Sequence, residues 1–225
     1  MTDRTYILVD GENLLTRYEC MLKEGYTAYG NILHQENKYV WHPKIVHGQE
    51  SPIARVSYYT TYVGDSNAIE ELQKEISQLD YQYFSIGSTS QRFGKVNPHV
   101  FKKSRQGQGT KSVDINICVD ALRHIGSEGL VTVLLITGDG DYLPLINELM
   151  RRGINVNVKA LSSGCNPSLE HVPDSLTLLD PIFFLMCLKK AHNKKLQTDV
   201  SRGVHLHECS YLTFYHANGP RMKRA

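Results

Sequence analysis

The chain contains no Cys-x-x-Cys pair, and its five cysteines (Cys20, Cys118, Cys165, Cys187 and Cys209) are scattered over 225 residues. An odd, dispersed set excludes a disulfide framework and a structural zinc site. Cys118 and Cys187 fall in apolar runs and read as small core residues. No apolar stretch approaches the ~20 residues that a membrane span needs. The start, Met1 to Arg4, leads directly into a strand-like run, without the basic and apolar regions of a secretory leader. The expectation is a soluble, cytoplasmic protein with no membrane partner. Charge of one sign is missing too: 25 Lys and Arg face 23 Asp and Glu, for a net charge of +2. Overall charge therefore names no partner. There is no internal repeat, and no Ser–His–Asp or Cys–His arrangement is evident.

Hydrophobic residues make up 41% of the chain and charged residues 21%, which suits one domain with a real core. Residues 5–9 read as a buried strand and 14–24 as the start of a helix. Residues 25–52 carry little periodicity and read as an insertion with a short hairpin. The run 54–62 is β-branched and aromatic, a second strand. Asp65 and Ser66 offer N-caps for a helix to about Leu79, with Ile69, Leu72, Ile76 and Leu79 at helical spacing. A third strand is expected at 81–86 and a polar segment at 87–111. A helix follows at 112–125, then a strand at 131–137, a helix from Tyr142 to Arg152 stopped by Gly153, and a strand at 154–158. A short strand and a closing helix fall within 175–190. Alternating strands and helices predict an α/β fold with a mainly parallel sheet.

Four aspartates stand where strands end or helices begin: Asp10, Asp114, Asp139 and Asp141. Carboxylates at the C-terminal edge of a parallel sheet converge on one cleft. Crowded together they repel unless a cation sits between them, and hard divalent ions prefer oxygen ligands. Each has a plainer reading as well. Asp10-Gly11 is a common turn dipeptide. Asp114 lies one turn ahead of the apolar stripe Ile117, Cys118, Ala121, Leu122 and Ile125, facing the core, but it also suits a helix dipole. Asp141 reads equally as a ligand and as the N-cap of the helix with Pro144 in its first turn. Asp120 falls off the stripe and reads as a solvated surface carboxylate. Asn13 offers a carbonyl ligand or a hydrogen bond to substrate.

Between Tyr81 and Val113 the chain has no acidic residue. Arg92, Lys95, Lys102, Lys103, Arg105 and Lys111 fall there, interleaved with Phe93, His99 and Phe101. Basic and aromatic residues together suit a single-stranded nucleic acid, with charges on phosphates and rings on bases. The segment leads into Asp114, which places it beside the expected metal. Gly107 to Ser112 falls short of a phosphate-binding loop, because Thr110 separates the glycine from Lys111-Ser112. His205 and His207 lack further ligands at metal spacing.

Val9-Asp10-Gly11-Glu12-Asn13-Leu14, Lys111-Ser112-Val113-Asp114-Ile115 and Thr137-Gly138-Asp139-Gly140-Asp141-Tyr142-Leu143-Pro144-Leu145-Ile146 resemble the three signature blocks of NYN domains, in order, between about Thr5 and Asp180. These domains belong to the PIN-like nuclease superfamily, and the LabA-like subgroup is the one the chain looks most like. The resemblance implies a PIN-like, Rossmann-like three-layer α/β/α sandwich. It also implies a Mg²⁺- or Mn²⁺-dependent ribonuclease in which Asp10, Asp114 and Asp139 hold the metal, Asp141 adds a further ligand and Asn13 contributes to the site. The expected organisation is a nuclease domain over 1–188 and a basic extension at 189–225; the insertion at about 16–52 is longer than the family usually has there, and the extension has no counterpart in it. RNA is the expected partner, with a homodimer possible. Such a metal polarises the scissile phosphate and lowers the pKa of a water. The competing readings are a catalytically weak module that binds RNA or protein, and a haloacid-dehalogenase-like phosphatase. The phosphatase ranks below because Glu12 stands where a second aspartate is wanted.

Overall fold

A computed structural model describes residues 3–49, 51–84, 90–104, 111–124 and 129–185. In chain order they form β1 (Arg4–Asp10), α1 (Gly11–Lys23), β2 (Leu33–Gln35), β3 (Tyr39–Trp41), β4 (Ile53–Tyr62) and α2 (Ser66–Ser77). Then come β5 (Asp80–Phe84), β6 (Gln91–Lys95), β7 (Asn97–Lys102), α3 (Ser112–His124) and β8 (Leu130–Ile136). The last are α4 (Leu143–Arg151), β9 (Asn155–Ala160), β10 (Ser175–Leu178) and the short α5 (Asp180–Phe183). Among the described residues no helix is long and apolar enough to cross a membrane.

Six strands form one sheet in the order β10-β9-β8-β1-β4-β7, and every neighbouring pair is parallel. Alternate side chains divide between two cores, as the strand period of two requires. Ile7, Val9, Val56, Tyr58, Leu134 and Ile136 pack with Leu14 and Tyr18 of α1 and Leu72 and Ile76 of α2. Leu8, Tyr59, Val133, Leu135, Val156 and Val158 pack with Ile117 and Ala121 of α3 and Ile146 and Leu149 of α4. The result is the expected α/β/α sandwich. The chain runs outward from β1 through β4 to β7 under one pair of helices. It then returns past β1 to β8 and β9 under the other pair. Right-handed crossovers produce this arrangement when the direction of winding reverses. The reversal leaves a crevice between the C-terminal ends of β1 and β8, where open α/β sheets bind ligands.

Several sequence expectations shift. The strand at 81–86 becomes β5, which pairs antiparallel with β6 outside the main sheet; Ile86 lies outside the described residues. The sheet's edge is instead β7, inside the segment expected to be an irregular polar stretch. Its polar look is deceptive, because His99 stacks flat on Tyr59 of β4 at 4.4 Å and Val100 is buried. The insertion does contain a hairpin, β2–β3, but α1 claims the residues up to Lys23. Lys159 of β9 holds the insertion to the sheet, its buried ammonium donating to the carbonyls of Ile45 and His47. Leu122 faces outward, at 41% exposure, and Cys118 is only half-buried. Ile125, Cys187, Cys209, His205, His207, residues 107–110 and the whole extension 189–225 lie outside the described residues. Asp120 is not a free surface group: its carboxylate accepts from Tyr59 Oη at 2.8 Å and from Arg123 at 3.3 Å.

Gly11 opens α1, and its role is space more than turn geometry. A Cβ there would lie 2.2 Å from the ring of Tyr58, which is fully buried and tied by its hydroxyl to the Val40 backbone at 3.4 Å. Gly11→Ala forces that ring or the helix to move. Chemical denaturation should show a loss of about 1–3 kcal/mol, against a negligible effect for an exposed glycine-to-alanine control at Gly30, where a Cβ meets nothing within 4 Å.

Candidate active site

Asp10 is the last residue of β1, and the register Val9↔Ile136 sets it level with Thr137, just past the end of β8. It is 4% exposed. Its carboxylate accepts from the Asn13 backbone at 3.0 Å, capping α1, and from Thr137 Oγ1 at 3.2 Å. Asp114 comes to the same place from the first turn of α3. The side chain that joins them is Tyr142, 1% exposed. Its hydroxyl lies 3.0 Å from Asp114 Oδ1 and 3.3 Å from Asp10 Oδ2. The two carboxyl oxygens are therefore no further apart than those two contacts laid end to end.

Burial, and then the Asp114 charge, push the Asp10 carboxyl up to about 7 against the opposing hydrogen bonds. Asp114 is also raised, first by burial and then by the charges of Asp139, Asp141 and Glu12, while its Tyr142 contact acts the other way. Burial and the two aspartates hold the Tyr142 phenol protonated far above its ordinary range. A hydroxyl has one proton, so it satisfies two carboxyl oxygens only when one of the acids carries a proton as well. Of the two acids, Asp10, raised to about 7 chiefly by burial, is the one suited to carry it.

Asp139 caps the 3-10 turn Gly140–Tyr142, accepting from the Asp141 backbone at 2.9 Å. The helix with Pro144 in its first turn, α4, follows Tyr142 and has no side-chain cap, so Asp141 does not serve there as the N-cap, and it is exposed. Asn13 Oδ1 accepts from the Gly138 backbone at 3.0 Å, tying α1 to the β8 turn. That turn packs closely on the loop after β9: a Cβ on Gly140 would lie 2.1 Å from Asn166 Nδ2. Glu12 joins the acidic edge, held by Thr61 Oγ1 at 3.0 Å and by Lys103. Beside it opens a cavity of about 290 Å³, lined among others by Glu12, Glu19, Thr61 and Lys103.

The basic residues do not form one strip beside the aspartates. Lys102 and Lys103 stand at the C-terminal end of β7, on the site's edge. Arg92, Phe93 and Lys95 stand on the β5–β6 hairpin, which joins the opposite end of the sheet through Tyr83 Oη and the Ile53 backbone. Lys95 pairs with Asp80 at 2.8 Å. Lys111 is exposed just before α3, and Arg105 lies outside the described residues. Sequence reading missed Tyr142 and Thr137 as site residues. The signal for Tyr142 was its place in the block Thr137 to Tyr142, in the turn that Asp139 caps.

Among the described residues no three His, Cys, Asp or Glu side chains stand together as a group able to hold a metal ion. Asp10 and Asp114 form the nucleus of one. Mg²⁺ is commonly held by one or two carboxylates and completes its shell with water and phosphate oxygens. Two acids whose pKa values are raised by burial and mutual charge are a donor set that a cation stabilises, so the residues present fit such an ion.

The NYN domain profile matches residues 4–180. The chain belongs to the NYN domain family. It is thereby placed in the PIN-like nuclease superfamily. A crystal structure of a Vibrio parahaemolyticus protein of unknown function is similar to this NYN domain chain at a TM-score of 0.51 and 19% identity, over 82% of this chain and 97% of that one. The likeness supports the fold. No curated protein matches the chain.

The Asp10 shift carries a pH signature. Unfolded, the carboxyl ionises near 3.8; folded and metal-free, it keeps its proton to about 7. The fold therefore binds an extra proton between those values, and stability falls as pH rises through the window, by about 4 kcal/mol at most. Denaturation in EDTA at pH 5 and pH 8 should show this loss in the native chain and a much smaller one in Asp10→Asn. Equal pH dependence in the two would contradict the assignment.

Proposed function

We propose that this NYN domain protein is a Mg²⁺- or Mn²⁺-dependent ribonuclease. It hydrolyses phosphodiester bonds of single-stranded RNA at the crevice between β1 and β8. The observation that carries the reading is the Asp10–Tyr142–Asp114 bridge, which holds two acids of raised pKa at the point where the sheet's winding reverses. Asp10 and Asp114 are the principal ligands, and Asp139 and Asp141 stand beside them as further oxygen donors. A bound cation supplies charge neutralisation at the scissile phosphate and acidifies a water.

The chain's own residues prepare that chemistry. Thr137 and the Asn13 backbone fix the orientation of the Asp10 carboxylate. Tyr142 sets the spacing of Asp10 and Asp114. Asn13 keeps the turn carrying Asp139 against α1. Lys103 stands at this edge but is committed to Glu12, so its effect is to lower the local negative charge. Lys102 and Lys111 are exposed and suited to RNA phosphates. The finer placement in the LabA-like subgroup, the cytoplasmic location, the domain limits at 1–188 and a homodimer belong to the same reading.

A regulatory module that binds RNA or protein is the second reading. The capping duty of the Asp139 carboxylate favours it, since that group is already engaged.

Incubation of labelled single-stranded RNA with Mn²⁺ or Mg²⁺, with and without EDTA, separates the two. Cleavage should require metal. It should fall at least about 100-fold in Asp10→Asn and Asp139→Asn, and about 10–100-fold in Tyr142→Phe, which perturbs ligand orientation. Equal cleavage by native protein and variants would trace the activity to a contaminant and sink the enzyme reading. RNA retention without cleavage would establish the regulator.

A further inference from the structure

One cation beside this site, Arg17, is paired with no carboxylate among the described residues. Arg17 lies on α1 four residues after Asn13, so the two share one side of the helix. Asn13 holds the turn after β8, and Arg17 reaches the loop after β9. A Cβ on Gly164 would lie 2.3 Å from Arg17 Cζ. Gly164 also has a φ of +67°, so glycine at this position lets the guanidinium lie flat on the backbone. The same loop abuts the β8 turn: a Cβ on Gly138 would meet Cys165 Cα at 3.3 Å and Asn13 Oδ1 at 3.6 Å. Arg17 therefore stands one loop away from the turn carrying Asp139.

Arg17 Nε is buried and has no hydrogen-bond partner, and among the described residues no carboxylate pairs with the guanidinium. Four other cations of the domain, by contrast, are held by carboxylates: Lys103 by Glu12, Lys38 by Glu75, Lys95 by Asp80, and Arg152 by Glu148. A buried donor without a partner costs stability. A planar guanidinium with free donors matches a phosphate. The other side of α1 is unsuited to phosphate, because its cavity is lined by Glu12 and Glu19.

Resting on the ribonuclease reading, we infer that Arg17 forms a second phosphate subsite on the β9 side of the crevice. It takes the backbone phosphate adjacent to the one held at Asp10 and Asp114, and so sets the direction in which the RNA strand leaves the site. Arg17 is a positioning residue: it touches a phosphate that does not react.

The test is binding of a fluorescent single-stranded oligoribonucleotide in Mg²⁺ across a range of KCl concentrations. An Asp114→Asn background blocks turnover. Arg17→Gln should weaken binding about tenfold and lower the slope of log affinity against log salt by about one. Arg17→Lys should keep the slope. A structural role would move thermal stability but leave the slope unchanged, and an unchanged slope in a folded Arg17→Gln protein overturns the inference. Methylphosphonates placed singly along the RNA give a readout that leaves Arg17 intact. One neutral position next to the cleaved bond should weaken the parent about tenfold; absence of any such position also overturns it. If the native protein cleaves RNA but these effects are missing, the subsite fails alone. If it neither binds nor cleaves RNA, the ribonuclease reading fails and the subsite with it.

Discussion

The Tyr142 hydroxyl is the contact on which the site depends. Asp10 and Asp114 arrive from elements 104 residues apart in sequence, by their numbering, and both are pushed toward the protonated form by burial. Without a shared donor, one buried and one partly buried carboxyl would separate or draw water between them. Tyr142 satisfies one oxygen on each, and its ring, buried with Leu145 and Ile146 in the α3–α4 core, fixes where the hydroxyl points. The cost of gathering acids is thus met partly by packing. That makes the site sensitive to core changes on the α3–α4 side, well away from any ligand.

Position along the sheet follows from topology and from a few close approaches. The reversal of winding at β1 opens a crevice there in any sheet of this order. What makes it narrow is glycine. Gly11 lets α1 start against the Tyr58 ring, Gly140 lets the turn after β8 press on Asn166, and Gly164 admits the Arg17 guanidinium. Three contacts of this kind, one on each flanking segment, bring α1, the β8 turn and the β9 loop into one wall. The backbone pair Asn166 N to Gly138 O at 2.9 Å then locks the last two together.

Much of this was legible in sequence, for physical reasons that also mark where legibility ends. β1, β4 and β8 are buried on both faces and read as continuous apolar or β-branched runs. Asp10, which ends β1, and Asp139, three residues past β8, were legible as candidates because a carboxylate at the end of such a run falls at the sheet's edge. β7 was hidden because an edge strand can carry Asn97, Pro98 and His99 and still pair, its polarity absorbed by the stack of His99 on Tyr59 and the contact of Asn97 with His99 at 2.8 Å. β5 imitated a central strand because Tyr81 and Tyr83 are buried, yet they face one way only, toward the insertion. Composition alone could not separate Arg92 and Lys95 from Lys102 and Lys103. They share one acid-free stretch, and only strand direction puts them at opposite ends of the sheet. Arg17 has no periodic or motif signal of its own. Tyr142 stood inside a signature block, but nothing in the sequence sets its hydroxyl against Asp10 and Asp114, which only distance in space does.

The charge balance at the crevice argues for a small divalent ion over a polycationic occupant. Five acids approach it: Asp10, Glu12, Asp114, Asp139 and Asp141. Glu12 is already neutralised by Lys103, and the Asp10 carboxyl carries a proton up to about pH 7 when no cation is present. Asp114 is therefore the most exposed to uncompensated charge, which is why Asp139, Asp141 and Glu12 all enter its shift. A single ion of charge two, seated between Asp10 and Asp114, would displace the Asp10 proton and answer the Asp114 charge together. It would still leave Asp139 and Asp141 to orient water. The proton on Asp10 and the ammonium of Lys103 thus both limit the negative charge at this edge, and of the two only the proton is one that a cation held by Asp10 and Asp114 would displace.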